Sequence, residues 1–250
     1  MSSTTNATLY GNGVFTTVAV RLGEPLLWEK HWRRLTLNAE QLAIDITYHD
    51  EYSTREAVLK AIRQAGPSTG RVRISFLDNS ASKLWSGEAV GGATLSIITG
   101  PPRDVPVRPR LSVSPYRVNS TSPLAGVKSC NYLEPLMSLD EARSRGFDEA
   151  MRLNERGEAA SACMANVFWL KGDTLFTPSL RTGCLPGTTR EHILENLECE
   201  EVESVLSDLQ NADEIFLTSA GLGVVQAAYF DGRQLGRRHH KILEIIPQTA

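Results

Sequence analysis

Hydrophobic positions along this chain switch repeatedly between the 3.6-residue period of a helix and the two-residue period of a strand. Over residues 29–44, Trp32, Leu35, Ala39, Leu42 and Ala43 share one stripe, which predicts an amphipathic helix. Ser53-Thr-Arg-Glu56 has the form of a capping box and predicts a second helix, closed by Gly66-Pro67. Residues 71–77 and 93–99 read as strands, the second a buried one. Four prolines between Gly100 and Pro109 can continue neither a helix nor a central strand, so the domain boundary is expected there.

Beyond that segment, residues 111–116 read as a strand and 131–145 as a helix ended by Gly146. Residues 149–153 and 158–163 flank the turn Asn-Glu-Arg-Gly157, and 167–170 and 174–177 flank Lys171-Gly-Asp173, as two hairpins. A helix is expected from about Gly187, and strands at 214–217 and 224–230, with Asp231-Gly232 turning the chain. Strands and helices mix without βαβ alternation, so the class is α+β.

Composition narrows the function classes. The 250 residues are 41% hydrophobic and 22% charged, and suit one large domain or two smaller ones. A net charge of −3 gives no reason to expect nucleic acid or a membrane surface as partner. No apolar run is long enough to span a membrane, and the N-terminus lacks the pattern of a secretory signal, so a cytoplasmic location is expected. Cys130, Cys163, Cys184 and Cys199 form no Cys-x-x-Cys pair and are read as free thiols. The five histidines are scattered, and none is assigned to a metal. Gly11-Asn-Gly13 and Gly221-Leu-Gly223 complete no dinucleotide-binding fingerprint.

Three segments could carry chemistry. Lys128 is the only charged residue between Val118 and Leu133. A lysine desolvated in so neutral a stretch has a lowered pKa and is a competent amine nucleophile. A loop lysine that reaches water along its stem is an equal alternative at this point. In Gly183-Cys-Leu-Pro-Gly-Thr-Thr-Arg190, a glycine turn with hydroxyl residues opens a helix, where unpaired N–H groups suit a phosphate. An ordinary capped helix start is the plainer reading. Thr218-Ser-Ala-Gly-Leu-Gly223 is small enough for backbone to approach a ligand, or is an ordinary loop.

Taken in order, these segments resemble the fold-type IV pyridoxal-phosphate enzymes, the class IV aminotransferase-like family, from about Tyr10 to Phe230. Tyr10-Gly-Asn-Gly-Val-Phe-Thr-Thr17 is similar to the first signature of that family. His31-Trp-Arg-Arg34-Leu35 is similar to its phosphate-arginine helix, and Lys128-Ser-Cys-Asn-Tyr132 to its Schiff-base segment. Ala165-Asn-Val-Phe168, with Lys171-Gly-Asp173 and Phe176-Thr-Pro178, resembles its central hairpin, and Leu185-Pro-Gly-Thr-Thr-Arg190 its phosphate turn. Phe15-Thr-Thr17, the run from Ser114-Pro-Tyr-Arg117 to Lys128, and Cys163-Met-Ala-Asn-Val-Phe-Trp169 most resemble the aminodeoxychorismate lyase branch.

The resemblance implies a small N-terminal α/β sandwich domain over residues 1–103 and a larger C-terminal pseudo-barrel domain over residues 104–250 that carries the cofactor lysine. It also implies pyridoxal phosphate held between them, a homodimer and a small-molecule substrate. The implied reaction converts aminodeoxychorismate to 4-aminobenzoate and pyruvate, as in folate biosynthesis. Transamination of D- or branched-chain amino acids is the alternative, and a homologue without catalysis a further one. On this resemblance Lys128 links to the cofactor and moves the proton. Arg34, the backbone N–H groups of Thr188 and Thr189, and Ser219 hold the phosphate. Tyr132 bonds the ring hydroxyl, and Thr17 faces the substrate and relays a proton. There are two departures. The family places a glutamate beside the pyridine nitrogen five residues before Asn166, and here that position is Ser161. The strand and turn that usually precede Tyr10 are also missing.

Overall fold

The structure is a computed structural model that describes residues 4–66, 69–81 and 91–246. The chain divides into two compact units, Met1–Arg103 with Val127–Tyr132, and Asp104–Gly126 with Leu133–Ala250.

The first unit comprises α1 (Asn6–Tyr10), β1 (Gly13–Arg21), β2 (Glu24–Pro25), α2 (Trp28–Gln41), α3 (Glu51–Ala65), β3 (Gly70–Asp78) and β4 (Ala93–Gly100). Its antiparallel sheet has the order β2-β1-β3-β4. Val14, Val18 and Val20 of β1, with Val72, Ile74 and Phe76 of β3, pack against Trp28, Leu35 and Ala39 of α2 and Val58 and Ile62 of α3. The two-residue period sends Phe15 and Thr17 to the opposite face.

Several expectations are corrected here. The stripe on α2 ends at Gln41, because Ala43 takes a left-handed φ of 51° and Ile44 N–H turns back to the Ala39 carbonyl. Helix α3 is capped by Asp50, whose side chain accepts from Ser53 N–H, so Ser53 lies inside the helix rather than capping it. Gly66 ends α3, and Pro67 lies outside the described residues. Strand β4 is a half-exposed edge, with Ile98 61% exposed, because among the described residues β3 alone pairs with it. The segment carrying Lys128 belongs to the first unit, not the second. Its backbone adds to the free edge of β1: Phe15 N–H donates to the Lys128 carbonyl at 3.0 Å and Cys130 N–H to the Gly13 carbonyl at 2.7 Å.

The second unit comprises β5 (Arg110–Val113), α4 (Leu133–Ser144), β6 (Glu149–Leu153), β7 (Ala159–Ala162), β8 (Asn166–Lys171), β9 (Thr174–Pro178) and α5 (Thr188–Asn196), then β10 (Glu200–Val202), α6 (Leu206–Gln210), β11 (Glu214–Ser219), β12 (Gly223–Gln226), β13 (Tyr229–Phe230) and β14 (Arg233–Gln234). Two five-stranded sheets form, β10-β9-β8-β11-β12 and β14-β13-β5-β6-β7. A core including Leu111, Met151, Leu153, Val167, Trp169, Ile215, Leu217 and Phe230 draws on both sheets. Central strand β8 alternates between two cores: Val167 and Trp169 face that one, Phe168 and Leu170 a second under Ile193 of α5. Residues 224–230 form two strands, because Ala227 N–H bonds back to Ile215 while Ala228 N–H turns to Pro109. Asp231 and Gly232, with φ of 48° and 82°, make the primed turn that a two-residue hairpin needs. No helix among the described residues is long and apolar enough to cross a membrane.

Candidate functional site

In the first unit, the strand-like pairing at β1 fixes the backbone of Lys128, and Asn38 of α2 accepts its N–H at 2.9 Å. The side chain then runs between two rings. Its Nζ lies 4.5 Å from the centroids of both Phe15 and Tyr132, which meet edge to face at 5.1 Å. Nζ also donates to Tyr132 Oη at 3.1 Å. The side chain keeps a partial opening to solvent, yet protein atoms surround the amine closely. That burial, and then the positive charges of Arg34 and Arg73, hold its pKa down at about 7. Of the two environments considered for Lys128, the geometry gives the desolvated amine and not the solvated loop lysine.

Arg73 of β3 stands opposite Thr17 in the β1–β3 register, and its guanidinium lies 3.5 Å from the Phe15 centroid. Thr17 therefore shares the face of the sheet that carries Phe15 and Arg73. Its neighbour Thr16 points the other way and joins a buried chain. Arg34 Nη2 donates to Thr16 Oγ1 at 2.8 Å, and Thr16 Oγ1 lies 2.6 Å from His31 Nδ1. A guanidinium can only donate, so the Thr16 hydroxyl accepts from Arg34 and is left to give its own proton to His31 Nδ1. Burial, then the charges of Arg34 and Lys128, keep the His31 pKa well below its ordinary value and the ring neutral.

In the second unit, the start of α5 has the features of an anion cradle. Gly187 is its N-cap and brings no capping side chain. A Cβ there would lie 2.0 Å from Asn166 Oδ1, so glycine is required for packing. Asn166 is fixed in turn, donating from Nδ2 to the Leu185 carbonyl at 2.8 Å. Thr188 and Thr189, both buried, are the first two residues of the helix. Asn166 pairs with Thr218 in the β8–β11 ladder. Thr218 is fully buried, and its Oγ1 has no hydrogen-bond partner among the described residues. Ser219, next along the chain, closes a turn in which its Oγ accepts from Leu222 N–H at 3.3 Å.

The unit thus brings together Thr188, Thr189, Asn166, Thr218 and Ser219. Ser161 lies in the other sheet, on β7, opposite Arg152 of β6. Glu158 is engaged by Arg156 and Asn154. Sequence reasoning missed Thr16, His31, Arg73, Arg152 and Thr218. Their surroundings in the fold single them out, although Thr16, His31 and Thr218 lay within quoted motifs.

These features fit pyridoxal phosphate: an amine with its pKa lowered to about 7, a buried arginine, an uncapped helix start and an orphaned buried hydroxyl. The model of the amino-transferase class IV family matches residues 13–229. The chain is 30% identical over 226 residues to the aminodeoxychorismate lyase of Bacillus subtilis (strain 168), covering 87% of this chain and 77% of that one. Its fold is shared with the 4-amino-4-deoxychorismate lyase of Pseudomonas aeruginosa (TM-score 0.80, 24% identity, 94% and 89% of the two chains). It is also shared with the branched-chain aminotransferase of Thermoproteus uzoniensis, solved with norvaline (TM-score 0.87, 26% identity, 96% and 85%). By the length of the family match and the extent of these likenesses, the protein belongs to the amino-transferase class IV family.

Proposed function

We propose that the protein is a pyridoxal-phosphate-dependent lyase that converts aminodeoxychorismate to 4-aminobenzoate and pyruvate. The identity to the Bacillus subtilis lyase, which extends over most of both chains, carries this reading. When bound, the cofactor supplies an electron sink for the charge left when a proton is removed from the carbon bearing the amine.

Lys128 Nζ carries the covalent link, and a pKa of about 7 lets it take up and return that proton near neutral pH. Tyr132 Oη, already the acceptor of the Lys128 amine, orients that amine and bonds the ring hydroxyl. Arg34, the backbone N–H groups of Thr188 and Thr189, and Ser219 hold the phosphate; Thr218, next to Ser219 in the chain, has a buried hydroxyl with no partner among the described residues. Thr17, on the Phe15 face of β1, faces the substrate and relays a proton.

A second reading is transamination, favoured by the likeness to the Thermoproteus uzoniensis aminotransferase. The deciding experiment supplies cofactor-loaded protein with aminodeoxychorismate, and separately with branched-chain or D-amino acids plus 2-oxoglutarate. Formation of 4-aminobenzoate and pyruvate in equal amounts, faster than any amino-group transfer, is the expected result. Transamination without 4-aminobenzoate would replace the first reading with the second. The proposal extends to a homodimer, checked by light scattering, and to a cytoplasmic location, checked by fractionation.

A further inference from the structure

The face of β6 and β7 turned away from the sheet-to-sheet core carries Ala150 and Cys163, which pack under Leu139 and Ala142 of α4. Met151 and Leu153 point into the core, so the strand alternation puts Arg152 on the α4 face. Ser161 is its direct cross-strand partner, and directly opposed side chains share one face of a sheet.

Arg152 is an unusual residue for such a place. Its side chain is only 7% exposed, and it forms an ion pair with Glu134 at the start of α4. Glu134 is 61% exposed, so the anion stands at the rim while the cation lies beneath. The Nε–H of Arg152 is buried with no acceptor among the described residues. A buried guanidinium remains charged and rarely leaves a donor unused. Glu134 follows Tyr132 by two positions, and Tyr132 is the residue assigned to the cofactor's ring hydroxyl.

We propose that Arg152, held by Glu134 and facing Ser161, meets the pyridine nitrogen of the bound cofactor and keeps that nitrogen unprotonated. This rests on the pyridoxal-phosphate reading above. The chemistry is one-directional. A guanidinium has donors and no acceptor, so it can bond a pyridine lone pair but not a pyridinium N–H. Its positive charge also disfavours a second cation beside it. The Ser161 hydroxyl, able to donate or accept, is compatible with an unprotonated nitrogen and brings no opposing charge. Glu134 orients the guanidinium from the far side and leaves Nε for the ring. The outcome is a ring that withdraws electrons less strongly than a protonated one.

The test is nitrogen-15 NMR of the protein loaded with pyridoxal phosphate labelled at the ring nitrogen. At pH 7 the wild-type resonance is expected at the downfield position of an unprotonated pyridine. It should move upfield, to the protonated position, in the double variant Arg152→Leu with Ser161→Glu. In Arg152→Gln the nitrogen should titrate at higher pH than in the wild type. A protonated nitrogen in the wild type overturns the proposal, whatever the variants do. So does an unprotonated nitrogen that is unchanged in both variants, their folding verified by circular dichroism. Failure of the wild type to bind the cofactor at all, read as no visible absorbance band, overturns the underlying reading as well and is distinct from the other two results.

Discussion

The hydroxyl of Thr16 accepts a hydrogen bond from the Arg34 guanidinium at 2.8 Å and lies 2.6 Å from His31 Nδ1, so one buried oxygen orders both groups. Arg34 is thereby held in one direction before any phosphate arrives. Charge-assisted contacts of this kind are worth roughly 1.5–3 kcal/mol. Arg34→Ala should weaken cofactor affinity about ten- to a hundred-fold. Arg33, exposed on the same helix, is the control, and Arg33→Ala should leave affinity unchanged. Thr16→Val should lower affinity in the same direction by a smaller factor, and Thr16→Ser should restore it. Cofactor titrations by fluorescence decide the point, and equal effects at positions 33 and 34 would remove Arg34 from the phosphate site.

Lys128→Ala should abolish the covalent link. Borohydride treatment of the loaded wild type should add the mass of the reduced cofactor to the peptide containing Lys128, and the variant should gain none. Turnover should fall by several orders of magnitude, because nucleophile and base disappear together. Mass spectrometry with a rate assay provides the measurement, and near-normal turnover would sink the functional reading.

Burial, Arg34 and Arg73 hold Lys128 at about 7 in the folded protein, against an ordinary value of about 10.4 in the unfolded chain. Between those values the unfolded chain binds the extra proton, so this group makes the cofactor-free protein more stable as pH rises. The contribution is complete above about 10.4 and is lost as pH falls towards 7. Thermal unfolding from pH 7 to pH 10 should show wild type gaining stability relative to Lys128→Met. Parallel profiles for the two proteins would mean that the amine is charged when folded.

A serine at position 161 supplies no charge to a pyridine nitrogen, whereas a carboxylate favours its protonated form. Ser161→Glu should therefore raise transamination relative to 4-aminobenzoate formation. Loss of pyruvate yields an aromatic ring, and that driving force makes it less dependent on a strong electron sink. Rates of both reactions on the same preparation give the ratio. An unchanged ratio, or a wild type that transaminates faster than it eliminates pyruvate, refutes the assignment.

The sequence by itself determined the local elements and the chemistry-bearing segments. The stripe of α2, the strands at 71–77 and 149–153, and the Asp231-Gly232 turn follow from period and turn chemistry, which act within a few residues. The isolation of Lys128 in a neutral stretch was equally plain, as were the glycine and threonines that open α5. What the sequence left undecided depends on partners distant in the chain. The half-exposed state of β4 follows from its place at the edge of its sheet, and an apolar run does not reveal whether one neighbour or two will pair with it. Lys128 joins the first unit because its backbone completes the edge of β1 more than a hundred residues earlier. The two arginines that help lower its pKa come from α2 and β3. The pairing of Arg152 with Ser161 depends on a register containing an irregularity between Arg152 and Leu153, where simple counting along the hairpin fails. Local pattern fixes which residues can carry chemistry, because it depends on neighbours in sequence. Tertiary structure decides which charges surround them, because electrostatic environment depends on neighbours in space.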